Sequence, residues 1–392
     1  MTAVRSLHVD IEGGFGGSSR SLFELLSRLD RAEVCPLVAY REQGPAVARY
    51  RAIGVDTVHV AEIASYVPRA RKAVKNLAAS LPRLVRIERA AAKLAEAATR
   101  HRADVVHFNY EGLFLLAAGL RRRTRLPFVF HCRAELPESR LGAWVARSVA
   151  RLADHVLFIS PREEARFRAL AGELAPAGEV MWNIATLPAS AGDGAPEQDA
   201  VYLGSLDPEK GTDRLVEIAA ALETMAAPPL SLAVYGRARA HPAFAARLER
   251  DIRDRGLGAR IRLCGHTDQP EAVLARALAL IRPSRTDDPW GRDVIEATRL
   301  GVPVLATGSY DGVVEPGITG FLFEPFEAEA MAATLIRLAT EPALWQRLSR
   351  AATAKGEALF AGGRQARRMT EILHRLAGRA SAQAVAPALA DG

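Results

Sequence analysis

Two carboxylates a short distance apart give the clearest chemical signal in this sequence. Asp288 and Glu296 have seven residues between them, in the segment Asp-Pro-Trp-Gly-Arg-Asp-Val-Ile-Glu. Each carboxylate has two acceptor oxygens and can bind both hydroxyls of a vicinal diol. We predict Asp288 on a loop and Glu296 in the first turns of the helix that runs to Leu300, where the helix dipole favours an acid. The alternative is structural, with one acid near a helix start and one on the surface.

A turn that carries glycines and a lysine is the second chemical feature. It follows a predicted strand and reads Gly-Ser-Leu-Asp-Pro-Glu-Lys-Gly from Gly204 to Gly211. A glycine after a strand lets the backbone approach a ligand, and Lys210 supplies a compact positive charge suited to a phosphate. The same residues would also serve as an ordinary surface turn.

The first half of the chain contains two weaker candidates. Residues 13–17 read Gly-Gly-Phe-Gly-Gly, so Gly16 and Gly17 lead into a predicted helix start, where a phosphate or a sugar can bind. The spacing is not that of a dinucleotide-binding motif, and a tight turn between strand and helix explains it equally well. His131 ends the predicted strand Pro127–His131, and a histidine in that position also has a structural interpretation.

Several motifs of the second half occur together and in a fixed order. They are Pro-Ser at 283–284, the acid-Pro-aromatic-Gly-Arg segment that starts at Asp288, Val-Ile-Glu-Ala at 294–297 and Gly-Val-Pro-Val at 301–304. With the turn at 204–211 they resemble the signature of family 4 glycosyltransferases, the retaining group 1 enzymes similar to glycogen synthase and to mannosyltransferases. That family has the GT-B architecture, in which two Rossmann-like domains face each other across a cleft.

The resemblance implies roles for the donor side of the site. Asp288 and the backbone of Trp290 and Gly291 would face the donor sugar. Glu296 would hold the ribose, and Lys210 would stabilise the diphosphate. In this family the leaving phosphate is taken to receive the proton of the acceptor on the same face. The two acids therefore hold substrate and do not act as acid and base.

Two departures from the family pattern fall on this donor side. Asp288 stands where the family has Glu, so the charge is kept while the reach is one methylene shorter. Ser205 stands where the family usually has Arg, which removes a bidentate phosphate contact. Arg237, in the segment Tyr-Gly-Arg, is a candidate replacement for that lost charge.

In the first half the resemblance rests on the glycine loop and on His131. The glycine loop matches the loop of the family's N-terminal domain, and His131 matches a histidine that lies near the transferred sugar. His107 is a weaker candidate of the same kind. Asn183 falls where the family has an interdomain segment, and no role is assigned to it.

Short apolar runs alternate with helical patterns along the chain, which predicts an α/β fold with parallel sheets. We expect a Rossmann-like acceptor-side domain at 1–186, a Pro- and Gly-rich linker at 187–198 and a Rossmann-like domain that binds the nucleotide sugar at 199–360. A last helix is predicted at 361–378, with a return to the N-terminal domain as one option. The tail at 379–392 is expected to be disordered.

The composition narrows the class of protein. Of 392 residues, 49% are apolar and 25% are charged, which is typical of a globular protein. Three cysteines lie far apart without metal-ligand spacing, which favours a reducing compartment. No signal peptide is visible, and no apolar run approaches the roughly 18 residues of a membrane span. We therefore expect a cytoplasmic protein that needs no metal and no cofactor beyond the nucleotide sugar as co-substrate.

The net charge of +7 is unevenly distributed. Between Pro68 and Arg102 there are ten basic residues and two acids, Glu88 and Glu96, with apolar residues interleaved. Such a stretch can lie on an anionic membrane as a peripheral contact, and a solvated helix face is the alternative. No aromatic stacking platform accompanies the charge, which disfavours nucleic acid as a partner.

The expected activity is transfer of a hexose from a nucleoside-diphosphate sugar to a glycan or lipid-linked acceptor, with retention, in cell-surface polysaccharide or glycolipid biosynthesis. Two alternatives stay open. One is a sugar-nucleotide epimerase of the same fold, and the other is a non-catalytic basic protein that binds membranes or nucleic acid. A retaining glycosidase would need its two carboxyl groups about 5–5.5 Å apart, which the loop and helix placement disfavours.

Overall fold

The computed structural model describes residues 3–11, 17–66, 81–187, 196, 198–225, 228–238, 241–286, 291–310 and 312–385. The chain divides into two compact units: unit 1 comprises Met1–Ile184 and Gly362–Gly392, and unit 2 comprises Ala185–Ala361. The two passages between the units lie side by side, because the Ala185 N–H donates a hydrogen bond to the Phe360 carbonyl at 3.1 Å.

Unit 1 is built on a parallel sheet. In the described part of this unit the strands are β1 (Val4–Val9), β2 (Val34–Tyr40), β3 (Asp56–His59), β4 (Val105–Phe108), β5 (Phe128–Cys132), β6 (His155–Phe158) and β7 (Gly178–Val180). Their order in the sheet is β3-β2-β1-β4-β5-β6-β7, and all neighbours pair in parallel. The order reverses beside β1, and ligands of such sheets bind beyond the carboxyl ends of the strands.

Helices cover both faces of this sheet. They are α1 (Gly17–Leu26), α2 (Pro45–Ala52), α3 (Leu81–His101), α4 (Phe114–Arg121), α5 (Arg140–Leu152) and α6 (Pro161–Ala171). Alternate strand residues point to opposite faces. Leu7 and Phe108 therefore pack with α3 to α6 in one core, while Val105 and Val129 pack with α1 in another.

Unit 2 repeats this layout. Its described strands are β8 (Gln198–Leu203), β9 (Leu232–Tyr235), β10 (Ile261–Gly265), β11 (Ala277–Arg282), β12 (Val304–Thr307) and β13 (Gly320–Phe323). They form a parallel sheet in the order β10-β9-β8-β11-β12-β13. The helices are α7 (Arg214–Thr224), α8 (Pro242–Asp254), α9 (Pro270–Leu274), α10 (Arg292–Arg299), α11 (Ala328–Thr340) and α12 (Pro342–Phe360).

The last helix, α13 (Gly363–Val385), belongs to unit 1. Met369, Ile372, Leu373 and Leu376 recur at helical spacing, and all are buried in the core that α1 also lines. The helix continues to Val385, which corrects the predicted helix end at 378 and the predicted disordered tail as far as 385. Residues 379–385 contain no proline and are rich in alanine, so their sequence sustains a helix. Residues 386–392 lie outside the described residues.

The apolar runs of the sequence do not mark β3 and β7. Both are edge strands of unit 1, with four and three residues and only partly buried side chains. A strand that pairs on one side only does not need a continuous apolar run, so the apolar pattern is absent there. Most of the predicted linker, residues 188–195 and 197, lies outside the described residues.

Candidate functional site

The loop that follows β8 lies directly against the loop that follows β9. The Leu206 N–H donates a hydrogen bond to the Arg237 carbonyl at 3.1 Å. A Cβ atom at Gly236 would lie 1.8 Å from the carbonyl oxygen of Gly204, so only glycine allows this approach. The contact brings Arg237, whose side chain is exposed, next to Ser205. Two loops at the carboxyl end of the unit 2 sheet therefore form one surface.

The predicted phosphate turn continues into a short 3-10 helix, Pro208–Lys210. Gly211 ends this helix with a φ of 66°, and a Cβ atom there would lie 1.9 Å from the Pro283 carbonyl oxygen. The left-handed conformation and the lack of space both require glycine. Lys210 is thus held in a turn whose path is set by β11 and the Pro-Ser segment behind it.

Arg285 fixes this turn from the other side. Its Nη1 and Nη2 atoms donate hydrogen bonds to the two carboxylate oxygens of Asp213, at 2.6 and 2.8 Å. Its backbone N–H donates to the Glu209 carbonyl at 3.0 Å. Burial raises the pKa of the Asp213 carboxyl, but the hydrogen bonds and charge of Arg285 outweigh it and hold that pKa below its usual value. The lysine turn and the segment that leads towards Asp288 therefore form one braced assembly.

A buried ion pair connects the end of β11 to the start of α10. Arg282 is only 9% exposed, and its Nη1 atom lies 2.7 and 2.8 Å from the two carboxylate oxygens of Asp293. Asp293 stands in the first turn of α10, where the helix dipole also favours its charge. Gly291 immediately precedes this helix, so the ion pair sets the position of the predicted sugar-binding backbone.

Glu296 is the fifth residue of α10, and Asp293 is the acid of its first turn. The prediction that the helix dipole favours Glu296 is therefore better applied to Asp293. Glu296 is buried, at 3% exposure, and its Oε1 atom lies 3.1 Å from the Nε atom of Arg292 one turn earlier. The Glu296 carboxylate is thus paired with the Arg292 guanidinium group.

Among the described residues of the predicted unit 2 site, Gly204, Ser205, Lys210 and Arg237 lie on the two adjoining loops after β8 and β9, and Glu296 lies on α10 after β11. Asp288 and Trp290, and Gly16 in unit 1, lie outside the described residues. Gly17 is the first residue of α1, as expected for the end of the glycine loop.

In unit 1 the carboxyl ends of the strands meet in a buried polar network around Arg133. Its Nε atom donates to Asn109 Oδ1 at 2.8 Å, and its Nη1 atom donates to Asn183 Oδ1 at 2.8 Å. Its Nη2 atom lies 3.2 Å from His131 Nδ1. Its backbone N–H donates to Glu111 Oε2 at 2.9 Å. One guanidinium group thus connects the ends of β4 and β5 with the segment after β7.

Three histidines line the face of the unit 1 sheet that includes Val129. His8 pairs with His107 across β1 and β4, with their Nδ1 atoms 3.0 Å apart, and the His107 and His131 rings meet edge to face at 5.8 Å. All are buried, at 0 to 3% exposure. Burial, reinforced by neighbouring cations and imidazoles, lowers the pKa of His8 to about 3 and the pKa values of His107 and His131 well below 6.5. These imidazoles are neutral in the folded protein.

Two buried carboxyl groups at the carboxyl end of the unit 1 sheet were not predicted from the sequence. Asp10 follows β1 directly; its Oδ1 atom accepts from Asn109 Nδ2 at 3.1 Å and its Oδ2 atom from the Tyr50 hydroxyl at 3.3 Å. Burial raises its pKa. Burial also raises the pKa of Glu111 to about 7. Position was a signal for Asn109, which directly follows a predicted strand, but not for Asp10, because the sequence predicts a strand as far as Ile11 and β1 ends at Val9.

Two family models cover most of the chain. The model for group 1 glycosyl transferases matches residues 186–355, and the model for a glycosyl transferase 4-like domain matches residues 16–181. The chain belongs to the group 1 glycosyltransferases. The two parallel-sheet α/β units and their structural relatives confirm the predicted GT-B fold class.

Solved structures similar to this chain are glycosyltransferases. HepE of Anabaena, in complex with UDP and glucose, is 21% identical and has a TM-score of 0.75; the match covers 95% of this chain and 100% of that chain. Sucrose-phosphate synthase of Thermosynechococcus elongatus is 21% identical over 95% of this chain and 99% of that chain, with a TM-score of 0.70. At such identities the likeness shows the fold. A comparison with curated protein sequences finds no match.

No group of three or more His, Cys, Asp or Glu side chains among the described residues is arranged to hold a metal ion. No helix among the same residues has the length and apolar character needed to cross a bilayer.

The buried histidines predict how stability depends on pH. Below pH 6.5 the unfolded chain takes up protons that the folded chain does not, because the pKa of His107 is lowered in the folded state. The free energy of unfolding should therefore fall as the pH falls through this range. His107→Gln should make the slope shallower by about 1.4 kcal/mol per pH unit between about pH 6 and 5, in urea unfolding.

A matched control separates titration from packing. Val129→Ala changes a buried neighbour on the same sheet face without a titrating group, so it should lower the free energy of unfolding equally at every pH. The raised pKa of Glu111 acts in the opposite direction, and comparison of variants with the parent removes its effect. An unchanged slope in His107→Gln would show that this imidazole does not stay neutral.

Proposed function

We propose that this chain is a retaining glycosyltransferase that moves a hexose from a nucleoside-diphosphate sugar to an acceptor hydroxyl, in cell-surface polysaccharide or glycolipid biosynthesis. Unit 2 would bind the donor and unit 1 the acceptor. The observation that carries the proposal is the brace of Arg285 on Asp213, which holds the lysine turn against the segment leading to Asp288. The HepE structures contain UDP, glucose or UDP-glucose, which supports a donor of this class.

The diphosphate would lie between the two loops at the carboxyl end of the unit 2 sheet. Breaking the anomeric C–O bond builds negative charge on this leaving group, and fixed positive charges stabilise it. Lys210 supplies one charge from its braced turn. Arg237 supplies the second charge from the adjacent loop. The hydrogen bond from the Leu206 N–H to the Arg237 carbonyl holds that loop beside the loop after β8. In this proposal Arg237 does what the family's arginine does at the position of Ser205.

The sugars of the donor would be held by the residues around α10. Glu296 binds the ribose hydroxyls, with its carboxylate already oriented by Arg292 at 3.1 Å. For the transferred hexose we propose contacts from Asp288 and the backbone of Trp290 and Gly291, and a role for Gly16, Gly17 and His131, on the resemblance to the family alone. The leaving phosphate takes the acceptor proton on the same face, so retention requires no protein base.

We predict that one sugar nucleotide stabilises the chain in a thermal-shift panel of UDP-glucose, UDP-galactose, UDP-N-acetylglucosamine, GDP-mannose and ADP-glucose. Ligand at a hundredfold excess over its dissociation constant adds about 2.7 kcal/mol to the folded state. Glu296→Ala should abolish most of this shift and reduce slow release of the nucleoside diphosphate about 10- to 100-fold, because the ribose loses a charged partner. Glu223→Ala, an exposed acid of the same unit, should leave both unchanged.

The same assay separates the alternatives. A sugar-nucleotide epimerase would convert the donor without an acceptor and without release of nucleoside diphosphate. A non-catalytic basic protein would bind anions in a salt-sensitive manner that Glu296→Ala does not change. Binding to no member of the panel would count against the glycosyltransferase proposal.

The assigned role of Arg237 gives a prediction about charge and metals. Arg237→Met should lower kcat at least tenfold, and Arg237→Lys should retain an intermediate rate, because a cation stabilises the developing diphosphate charge. Release of nucleoside diphosphate should continue in EDTA, since protein cations supply the charge. Arg253→Met, on the exposed side of α8, is the matched control. Loss of activity in EDTA, restored by Mg²⁺, would contradict this assignment.

The start of α3 supports peripheral contact with an anionic membrane. Leu84 and Val85 are 51% and 45% exposed. Beside them, the side chains of Arg83 and Arg86 donate to backbone carbonyls, and the Arg86 charge also acts on the Glu62 carboxyl, whose pKa is lowered mainly by a hydrogen bond from Lys93. Further along α3, Arg100 pairs with an acid. Exposed apolar groups flanked by exposed arginines are typical of a surface that lies on anionic lipid.

We predict that the protein floats with vesicles that contain phosphatidylserine and not with vesicles of phosphatidylcholine alone. Arg83→Gln with Arg86→Gln should weaken this association about tenfold or more, because each basic residue near the surface contributes about 1 kcal/mol. Arg100→Gln with Arg102→Gln, the same loss of two positive charges at the other end of α3, should have little effect. Equal loss in both variants would place the contact elsewhere.

A further inference from the structure

The exposed face of α5 consists of arginine and tryptophan. The helix has 13 residues and contains no Asp or Glu. Its exposed residues are Arg140, Trp144, Arg147 and Arg151. Spacings of four, three and four residues place these side chains in one row along the helix. One face of α5 therefore combines positive charge with a large aromatic ring, while its other face belongs to the core of unit 1.

The positive charge of this row does not serve the stability of α5. Arg140 is the first residue of the helix, where the positive end of the helix dipole disfavours a cation, and the first turn has no acid to offset it. The acids that precede and follow the helix in the sequence, Glu138 and Asp154, pair with Arg166 and Arg121. The row therefore presents its charge to the outside of the molecule, where an anionic partner can meet it.

Trp144 is held by two other rings and yet stays largely exposed. Its ring centroid lies 4.9 Å from that of Phe114 and 5.5 Å from that of Tyr66, and both contacts are edge to face. Phe114 is buried, whereas 43% of the surface of Trp144 is exposed. Removal of this apolar surface from water is favourable. Because the ring is already ordered, little conformational entropy is lost when a partner covers it.

Tyr66 connects the row on α5 to the start of α3. It contacts Trp144, and the guanidinium carbon of Arg83 lies 5.4 Å from the centre of its ring. α5 follows β5 and α3 leads into β4, so both helices start at the carboxyl end of the parallel unit 1 sheet. The two helix starts form one surface, which we name the α3–α5 surface. Its exposed members are Arg83–Val85, Arg140, Trp144 and Arg147.

The chemistry of the α3–α5 surface matches an anionic bilayer and not a soluble polyanion. A soluble acidic polymer binds arginines but offers no apolar environment to exposed Leu84, Val85 and Trp144. Tryptophan is enriched at membrane–water interfaces, where its ring meets the apolar layer while its N–H stays hydrated. Arginine binds phosphate groups in a bidentate manner. A bilayer with anionic headgroups satisfies both kinds of side chain at once.

We propose that the α3–α5 surface binds the headgroup region of an anionic bilayer, with the ring of Trp144 in the interface and Arg140 and Arg147 on lipid phosphates. The inference rests on the peripheral contact proposed for the start of α3 and extends it to a second helix. Contacts on two separate helices fix the orientation of unit 1 on the bilayer, whereas a single helix start leaves the unit free to rotate about it.

The first experiment measures the depth of Trp144 in the bilayer. Vesicles of phosphatidylserine and brominated phosphatidylcholine quench the fluorescence of tryptophans near the bromine atoms. Bromine close to the headgroup should quench the bound parent more strongly than bromine near the chain ends. Trp144→Phe should lose this difference, and Trp345→Phe, the matched change at a partly buried tryptophan of unit 2, should keep it. Binding of the parent to vesicles without quenching of Trp144 would overturn the proposal.

The second experiment removes charge from α5. Arg140→Gln with Arg147→Gln should weaken flotation with phosphatidylserine vesicles about tenfold or more, because each basic residue near the surface strengthens binding about fivefold. Arg250→Gln with Arg253→Gln, the same loss of charge on exposed residues of α8 in unit 2, should have little effect. Equal weakening in both double variants would show that net charge alone drives binding and would contradict the proposal.

Two soluble ligands separate the remaining outcomes. If dextran sulfate binds as tightly as vesicles of equal charge concentration, the apolar side chains make no contact and the proposal fails. A chain that binds no anionic vesicle overturns the inference together with the proposed membrane contact. Release of nucleoside diphosphate from a soluble sugar nucleotide needs no lipid, so it tests glycosyl transfer independently. Arg140→Gln with Arg147→Gln should leave that release unchanged.

Discussion

The contact between the loops after β8 and β9 sets the geometry of the donor side. At Gly236 a single added carbon would collide with the Gly204 carbonyl, so the two loops can run together only without a side chain there. That approach places Arg237 beside Ser205 and directs the chain into the turn of Lys210. The brace of Arg285 on Asp213 then acts on a turn whose position is already defined. The close approach of the two loop backbones therefore sets the positions from which the charged residues of this site make their contacts.

The sequence predicts the fold class and the donor-side motifs because both depend on local patterns. Apolar runs mark the central strands, and the glycine and lysine of the turn at 204–211 follow one of them directly. The edge strands β3 and β7 lacked such runs. Arg285 and its partner Asp213 lie far apart in the sequence, and so do Arg133 and its partner Asn183. Only the fold brings each pair together. Asp288 and Trp290, on which the recognition of the family depends, lie outside the described residues.

The two units hold their polar residues by different physical means. In unit 2 the Arg285 ion pair is partly exposed, so water and salt weaken its electrostatic attraction. In unit 1 the Arg133 network is largely removed from solvent, where each lost hydrogen bond leaves a buried group unsatisfied. Substitutions in the Arg133 network should therefore affect folding and orientation together, whereas substitutions of Arg285 or Asp213 should affect the binding surface more selectively.

The place of α13 in the chain has a consequence for biosynthesis. This helix is made after the whole of unit 2, yet its residues Met369, Ile372 and Leu373 complete a core that begins with β1. A nascent chain on the ribosome can bury the interior of unit 2 while one face of the earlier sheet is still covered only in part, by α1 and α2. That face includes His8 and His107, so it would be hydrated and open to chaperones until the last segment emerges. The core of unit 1 is therefore completed only after unit 2 has been synthesised.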